Sequence, residues 1–259
     1  MAKQKRTIVG SPITPNMLVE LDAISKLPPT HGNFNPVGNW THHYRVWTCH
    51  GYRESGNDNV GFLRIERIGS SSETFMLNIH QEIVQNDAIT NIINGKITCR
   101  NNKLASPAEW KLSSQFEGPD GKIISALSSH NHGVATESVT STAIDWCLFE
   151  AVQRLVFDKQ SSLRFDLLEG MYLSKLRHRL FYRGVTPLKM NDRVTPLHCF
   201  VQTGSGILPY EYWLDERHRL LAVISMNKAY ILDDEAEQII KREAKEARES
   251  YKRKRKQEQ

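Results

Sequence analysis

Ten histidines carry the most chemical potential in this chain. His42-His43, His50, His80, His130, His132, His178, His198 and His218 fall in or beside segments that read as strands and turns, and His31 falls in a proline-rich stretch. Cys49 and His50 are adjacent, and His130-Asn131-His132 sets two imidazoles at i and i+2, on one side of a strand. Zinc and iron sites use such pairs but need a third and fourth ligand brought by the fold. His130 and His132 are therefore the best-placed metal candidates, and a plain polar loop with Asn131 and Gly133 is the competing reading. No HExxH motif accompanies them, so the metal stays unknown and no cofactor is expected.

Nucleophilic chemistry finds less support. Gly204-Ser205-Gly206 lacks the GxSxG setting and reads as a small-residue turn. Cys147 lies beside Trp146 and Leu148, and Cys199 lies beside Phe200. Apolar flanks of that kind raise a thiol's pKa and make it inert. Glu211 and Asp215 share a strand face with Trp213, but glycosidase carboxylates come from different elements. No glycine-rich phosphate loop joins a strand to a helix. Cys49, Cys99, Cys147 and Cys199 contain no CxxC pair, and the expectation is buried thiols. The balance leans away from an enzyme.

The elements that must position these residues are mostly strands. From Trp40 onward the apolar period is two: Tyr44, Val46 and Thr48 alternate with Arg45, Trp47 and Cys49. Further strands are expected at Val60–Ile68 and Thr74–Gln85, and Asn94-Gly95 reads as a hairpin turn between 89–93 and 96–100. Gly118-Pro119-Asp120-Gly121 reads as another, between Trp110–Glu117 and Lys122–Ser128. Ser141 or Thr142 can cap a helix over 143–156, whose wide apolar stripe of Ile144, Trp146, Leu148, Phe149, Val152 and Leu155 predicts deep packing. Strands resume at Leu176–Arg183 and Pro196–Thr203. The hairpin Ile207–Asp215, Glu216–Arg219, Leu220–Ile224 follows, with Ala229–Leu232 after it.

This order predicts a mainly β fold: a long curved antiparallel sheet, or half-barrel, holding one inserted helix. Three regions follow. Residues 1–39 hold a short helix (Thr14-Pro15 at its start, then Met17, Leu18, Leu21, Ile24 and Leu27) and a linker arm. Residues 40–232 form the β domain. Residues 233–259 form a charged helical tail without an apolar face, expected to be exposed and to fray.

Composition narrows the functions. At 39% hydrophobic and 24% charged the chain is globular rather than disordered. Its net charge of +5 equals the charge of Lys252-Arg253-Lys254-Arg255-Lys256 alone, so the body is near neutral. The tail is the one place suited to nucleic acid or an anionic membrane surface. No run approaches the length of a transmembrane helix. No apolar core follows the basic Met1–Arg6, so the sequence as written points to the cytoplasm, or to export if a signal peptide precedes it.

Aromatic residues give the more specific signal. Trp47, Trp146, Phe149, Tyr210, Tyr212 and Trp213 are spread over separate elements; rings converging inside a curved sheet would line a site for something apolar, and an ordinary core with exposed tyrosines is the competing and better-supported reading. The closing stretch Tyr212-Trp213-Leu214-Asp215, with His218-Arg219-Leu220-Leu221 after the turn, resembles the last hairpin of the lipoprotein-localisation carrier (LolA-like) superfamily and its uncharacterised relatives. The resemblance spans about residues 40–232 and implies a half-barrel sheltering an acyl chain or other apolar ligand, without catalysis. Those carriers work in the periplasm; this chain shows no leader, a departure from them. The expected function is thus binding of an apolar or amphipathic, lipid-like ligand. A histidine-dependent enzyme and an adaptor acting through the basic tail are the alternatives.

Overall fold

The period-two segments become strands of one sheet. The structure, a computed structural model, describes residues 14, 15, 18, 34–49, 57–69, 71–84, 89–132, 141–190 and 193–257. The expected N-terminal helix and most of the linker lie outside the described residues, as do His31 and His50. The first six strands are β1 (Trp40–Cys49), β2 (Asn57–Gly69), β3 (Thr74–Val84), β4 (Thr90–Arg100), β5 (Pro107–Glu117) and β6 (Ile123–His132). A short strand β7 (Ser141–Ile144) leads into helix α1 (Asp145–Ala151), which ends in a 3-10 turn over Val152–Arg154. Strands β8 (Ser162–Glu169), β9 (Leu173–Met190), β10 (Arg193–Thr203), β11 (Tyr210–Leu214), β12 (Leu220–Ile224) and β13 (Lys228–Leu232) follow, and helix α2 (Ala236–Gln257) closes the chain.

All thirteen strands join a single curved, unclosed sheet in the order β6-β5-β4-β3-β2-β1-β13-β12-β11-β10-β9-β8-β7. Two meanders run outward from the centre, where β1 pairs with β13 (Val46 opposite Tyr230, Trp47 opposite Ala229). Every pairing is antiparallel except β7 with β8, because α1 is the crossover between them.

Register sorts the side chains onto two faces. On β3, Phe75, Leu77 and Ile79 point to one face and are buried, as the alternation predicts. Tyr44, Val46, Tyr212 and Tyr230 lie on the face that α1 covers; Trp47, Ala229, Trp213 and Ala222 lie on the other. β12 is buried throughout, so the centre of the sheet is covered on both sides. Leu18, at 1% exposed, belongs to the same buried cluster.

Four expectations need correction. Asn94-Gly95 is not a hairpin: β4 runs straight through it, paired with β3 and β5 along its length. A Cβ on Gly95 would sit 2.5 Å from Met171 Cε, so this glycine admits a neighbouring side chain instead of turning the chain. The helix expected over 143–156 is shorter, because Ser141 and Thr142 are drawn into β7 rather than capping it. β8 precedes the strand expected at Leu176; Leu163, Phe165 and Leu167 alternate there with Arg164 and Asp166. The charged tail does present an apolar contact: Ala236 and Ile240 are buried against Phe62. Ion pairs of Arg64 with Glu237 (3.1 Å) and Arg248 with Glu117 (2.9 Å) tie α2 to the sheet, and Arg45 pairs with Asp233 (2.6 Å) in the segment leading into it.

Candidate functional site: an apolar cleft beside the inserted helix

Phe149, on the buried face of α1, is the hub of the predicted aromatic set. Its ring makes edge contacts with Tyr44 (5.5 Å between centroids), Tyr230 (5.3 Å) and Tyr212 (6.1 Å). Trp146 is buried on the same helix, and Tyr210 is half-buried on β11. Trp47 and Trp213 do not join them, since odd-numbered positions of β1 and β11 face away from α1. Trp213 instead lies under the Arg183 guanidinium at 5.1 Å, with Arg183 paired to Glu211. The six residues therefore divide between two faces, and the centre of the α1 face is filled by rings.

Among the described residues, open space lies at the end of α1. A cleft of about 410 Å³ runs between Pro36-Val37 and the segment Gln153–Phe157, with His218 at its edge. Its walls are held by one buried carboxylate. Glu150, 0% exposed, accepts from Arg67 Nε (2.9 Å) and from Arg154 Nε (2.7 Å) and Nη2 (2.9 Å). Arg67 Nη1 also donates to the carbonyls of Val37 and Gly38, fixing the first wall. Arg154 Nη2 donates to the Asn102 carbonyl at 2.7 Å, fixing the second. Both guanidiniums pack over Phe75. A buried ion triad of this kind is weak evidence for stability but sets geometry well.

Two of the lining residues, Phe157 and His218, belong to a ring stack. Phe157 lies between His198 (3.7 Å, 7°) and His218 (4.0 Å, 5°), and Tyr182 hydrogen-bonds His198 Nδ1 at 2.7 Å. His218 has φ 64°, a left-handed conformation that the β11–β12 turn imposes. Asp215 builds that turn by accepting from the backbone N–H groups of Arg217 and Arg219 and from Arg219 Nε. Burial pushes the pKa of both imidazoles down, and each imidazole also has charged or polar neighbours that modify this. Among the described residues His218 Nδ1 is buried without a hydrogen-bond partner.

A second polar group sits at the start of α1. Asp145 accepts from the N–H groups of Trp146 (3.0 Å) and Gly170 (3.2 Å), and burial raises its carboxyl to about 6. Lys228 is held above its ordinary value, chiefly by Tyr230. The hydrogen bonds of Asp145 join α1 to the 170–172 turn, which is a structural task.

Other sequence candidates are dispersed. Among the described residues no three potential metal ligands converge. His130 is exposed on β6, and the side chain of His132 lies outside the described residues. Cys147 and Cys199 are buried, as is Cys99, whose Sγ lies 3.7 Å from that of Cys147. Burial pushes Cys199 up to about 12, away from the thiolate a nucleophile needs. The cleft residues Arg154 and Phe157 were not singled out by sequence reasoning; neither has a spacing that marks it. His218, as a histidine beside a turn, and Leu155, as the last member of the apolar stripe, carried a signal.

No family model matches the chain, and no curated protein matches it. Among solved structures, it is similar to the crystal structure of a β-barrel-like protein of the domain of unknown function DUF1849 from Brucella abortus. The similarity has a TM-score of 0.46 at 9% identity, over 76% of this chain and 96% of that one.

Proposed function

We propose that the protein binds a small apolar or amphipathic molecule without chemically changing it, and that the ligand lies in the cleft between Pro36-Val37 and Leu155–Phe157. The observation that carries this reading is the cleft itself: about 410 Å³, within the range of small-molecule sites, with mainly apolar walls and few polar groups at the edge. The aromatic cluster around Phe149 supports the choice of place. It occupies the middle of the α1 face, so an acyl chain fits beside the helix rather than beneath it. The buried thiols and the structurally engaged Glu211 and Asp215 favour binding over catalysis. The role is of the kind implied by the likeness of the closing hairpin to lipoprotein carriers.

The test fills the cleft. Val156 is 74% exposed, so Val156→Trp is compatible with folding while occupying the opening. Wild type is expected to bind N-phenyl-1-naphthylamine, a neutral apolar fluorophore, and the variant to bind it about tenfold more weakly or worse. Equal binding by both proteins, or none by wild type, would overturn the assignment.

A further inference from the structure

We infer that the cleft selects an anionic amphiphile, a single alkyl chain ending in a carboxylate, with the head group at Arg154 and His218. The inference rests on the cleft being the binding site and adds the class of head group.

Charge around the cleft supports it. Among the described residues lining it, Arg154 alone carries a formal charge, and none is a carboxylate. The triad behind the wall is unbalanced: one carboxylate, Glu150, serves two guanidiniums, Arg67 and Arg154. The group therefore keeps a net positive charge after all its internal pairing. Arg67 is 3% exposed and committed to Glu150, Val37 and Gly38. Arg154 is the member that reaches solvent, at 11% exposed, and its hydrogen bonds among the described residues run through Nε and Nη2. A carboxylate at the cleft completes the neutralisation, and charge-assisted hydrogen bonds in a partly desolvated site are the strong ones.

His218 supplies the second polar contact. It lines the cleft and is half-buried, and its ring is fixed by the Phe157 stack and the Asp215-built turn. An imidazole nitrogen serves a carboxylate as donor, whereas a quaternary ammonium can use neither His218 nor Arg154. Nearby carboxylates do not cancel the field. Asp215 is bonded to two backbone N–H groups and paired with Arg219 at 3.2 Å, and Glu216 is exposed outside the lining. The apolar walls of Val37, Leu155, Val156 and Phe157 then take the chain.

The experiment displaces N-phenyl-1-naphthylamine from the full-length protein with three ligands of equal chain length: decanoate, decanol and decyltrimethylammonium, at neutral pH. Decanoate is expected to displace the probe at a concentration about tenfold or more below decanol, and the cationic chain to be weakest. In a folded Arg154→Met protein the ratio of decanoate to decanol displacement should fall to within about twofold, whatever the substitution does to both ligands together. Arg154→Lys keeps the charge and should keep the preference. Equal displacement by decanoate and decanol in wild type would overturn the head-group assignment and leave the apolar cleft standing. Retention of the full preference in a folded Arg154→Met protein would overturn it as well. Failure of wild type to bind the probe would remove the cleft as a site altogether.

Discussion

His42 shows how much a single side chain can weigh on stability here. It is 6% exposed, stacked on Trp40 at 4.4 Å and on Phe34 at 5.5 Å, and hydrogen-bonded to the Tyr44 hydroxyl. Burial above all, then Arg219 and His43, pull its pKa down to about 3. The unfolded chain therefore takes up this proton first. Stability present above the unfolded value of about 6.5 is lost as the pH falls toward 3. His43, His178, His198 and His218 are also lowered and act with the same sign. His80, raised first by Glu82, acts against them, and Asp145 adds stability as pH falls through about 6. Four further lowered imidazoles stand with His42, so the melting temperature should fall between about pH 7 and 5, less steeply in His42→Gln. A flat or rising profile would show that these rings protonate in place. None of this was legible in the sequence, where His42-His43 is a pair of letters. That one imidazole faces α1 and the other faces α2 depends on the register of β1. The cleft is opaque for the same reason: Arg154, Phe157 and His218 meet only because α1 ends where the β11–β12 turn projects.

The inserted helix is the element whose loss would reach furthest. Leu148 is 0% exposed, and Leu148→Ala should cost about 2–5 kcal/mol by urea denaturation, with the spread set by how far the site collapses. A loss under about 0.5 kcal/mol would place α1 outside the core. Its depth was legible because six apolar residues covered more of the helix than a surface stripe needs. The turns were legible unevenly. Gly118–Gly121 and Glu216–Arg219 do reverse the chain, with Gly121 at φ 79° and His218 at φ 64°, but Asn94-Gly95 stays extended. A local signal for φ > 0 yields when strands on both sides hold the backbone straight. For α2, the contact of Ile240 and Ala236 with Phe62 ends early, and Arg248 to Glu117 is a tie between polar ends. Deleting residues 249–259 should leave the melting temperature unchanged within experimental scatter. It should also remove any salt-dependent binding to heparin, since the basic run goes with it. A truncated protein that melts early, or binds heparin as before, would reverse that reading.

At the scale of the whole molecule the sheet was legible as to class and not as to order. Alternation announced strands, and short turns announced antiparallel neighbours, so each meander could be traced along the chain. The pairing that joins the meanders, β1 with β13, spans nearly the whole β region and leaves no local mark. The division of the tryptophans follows from it. Trp47 is set opposite Ala229 on the face away from Phe149 by that register alone, which is why six aromatic residues that read as one site became two groups.

That central pairing has a consequence for how the protein is made. A ribosome delivers β1 well before β13, so the edge of β1 that will meet Ala229–Leu232 waits, unpaired, while about 180 residues are synthesised. Its waiting edge carries Tyr44, Val46 and Trp47, a short apolar run suited to pairing with a neighbouring nascent chain. Folding dominated by so distant a contact is slow as well. Chains stopped before Lys228 should therefore collect in the insoluble fraction on expression, and a chaperone that shields the nascent β1 edge should raise the soluble yield of chains that include β13. Soluble, monomeric chains ending at residue 227 would show that the first meander protects its own edge.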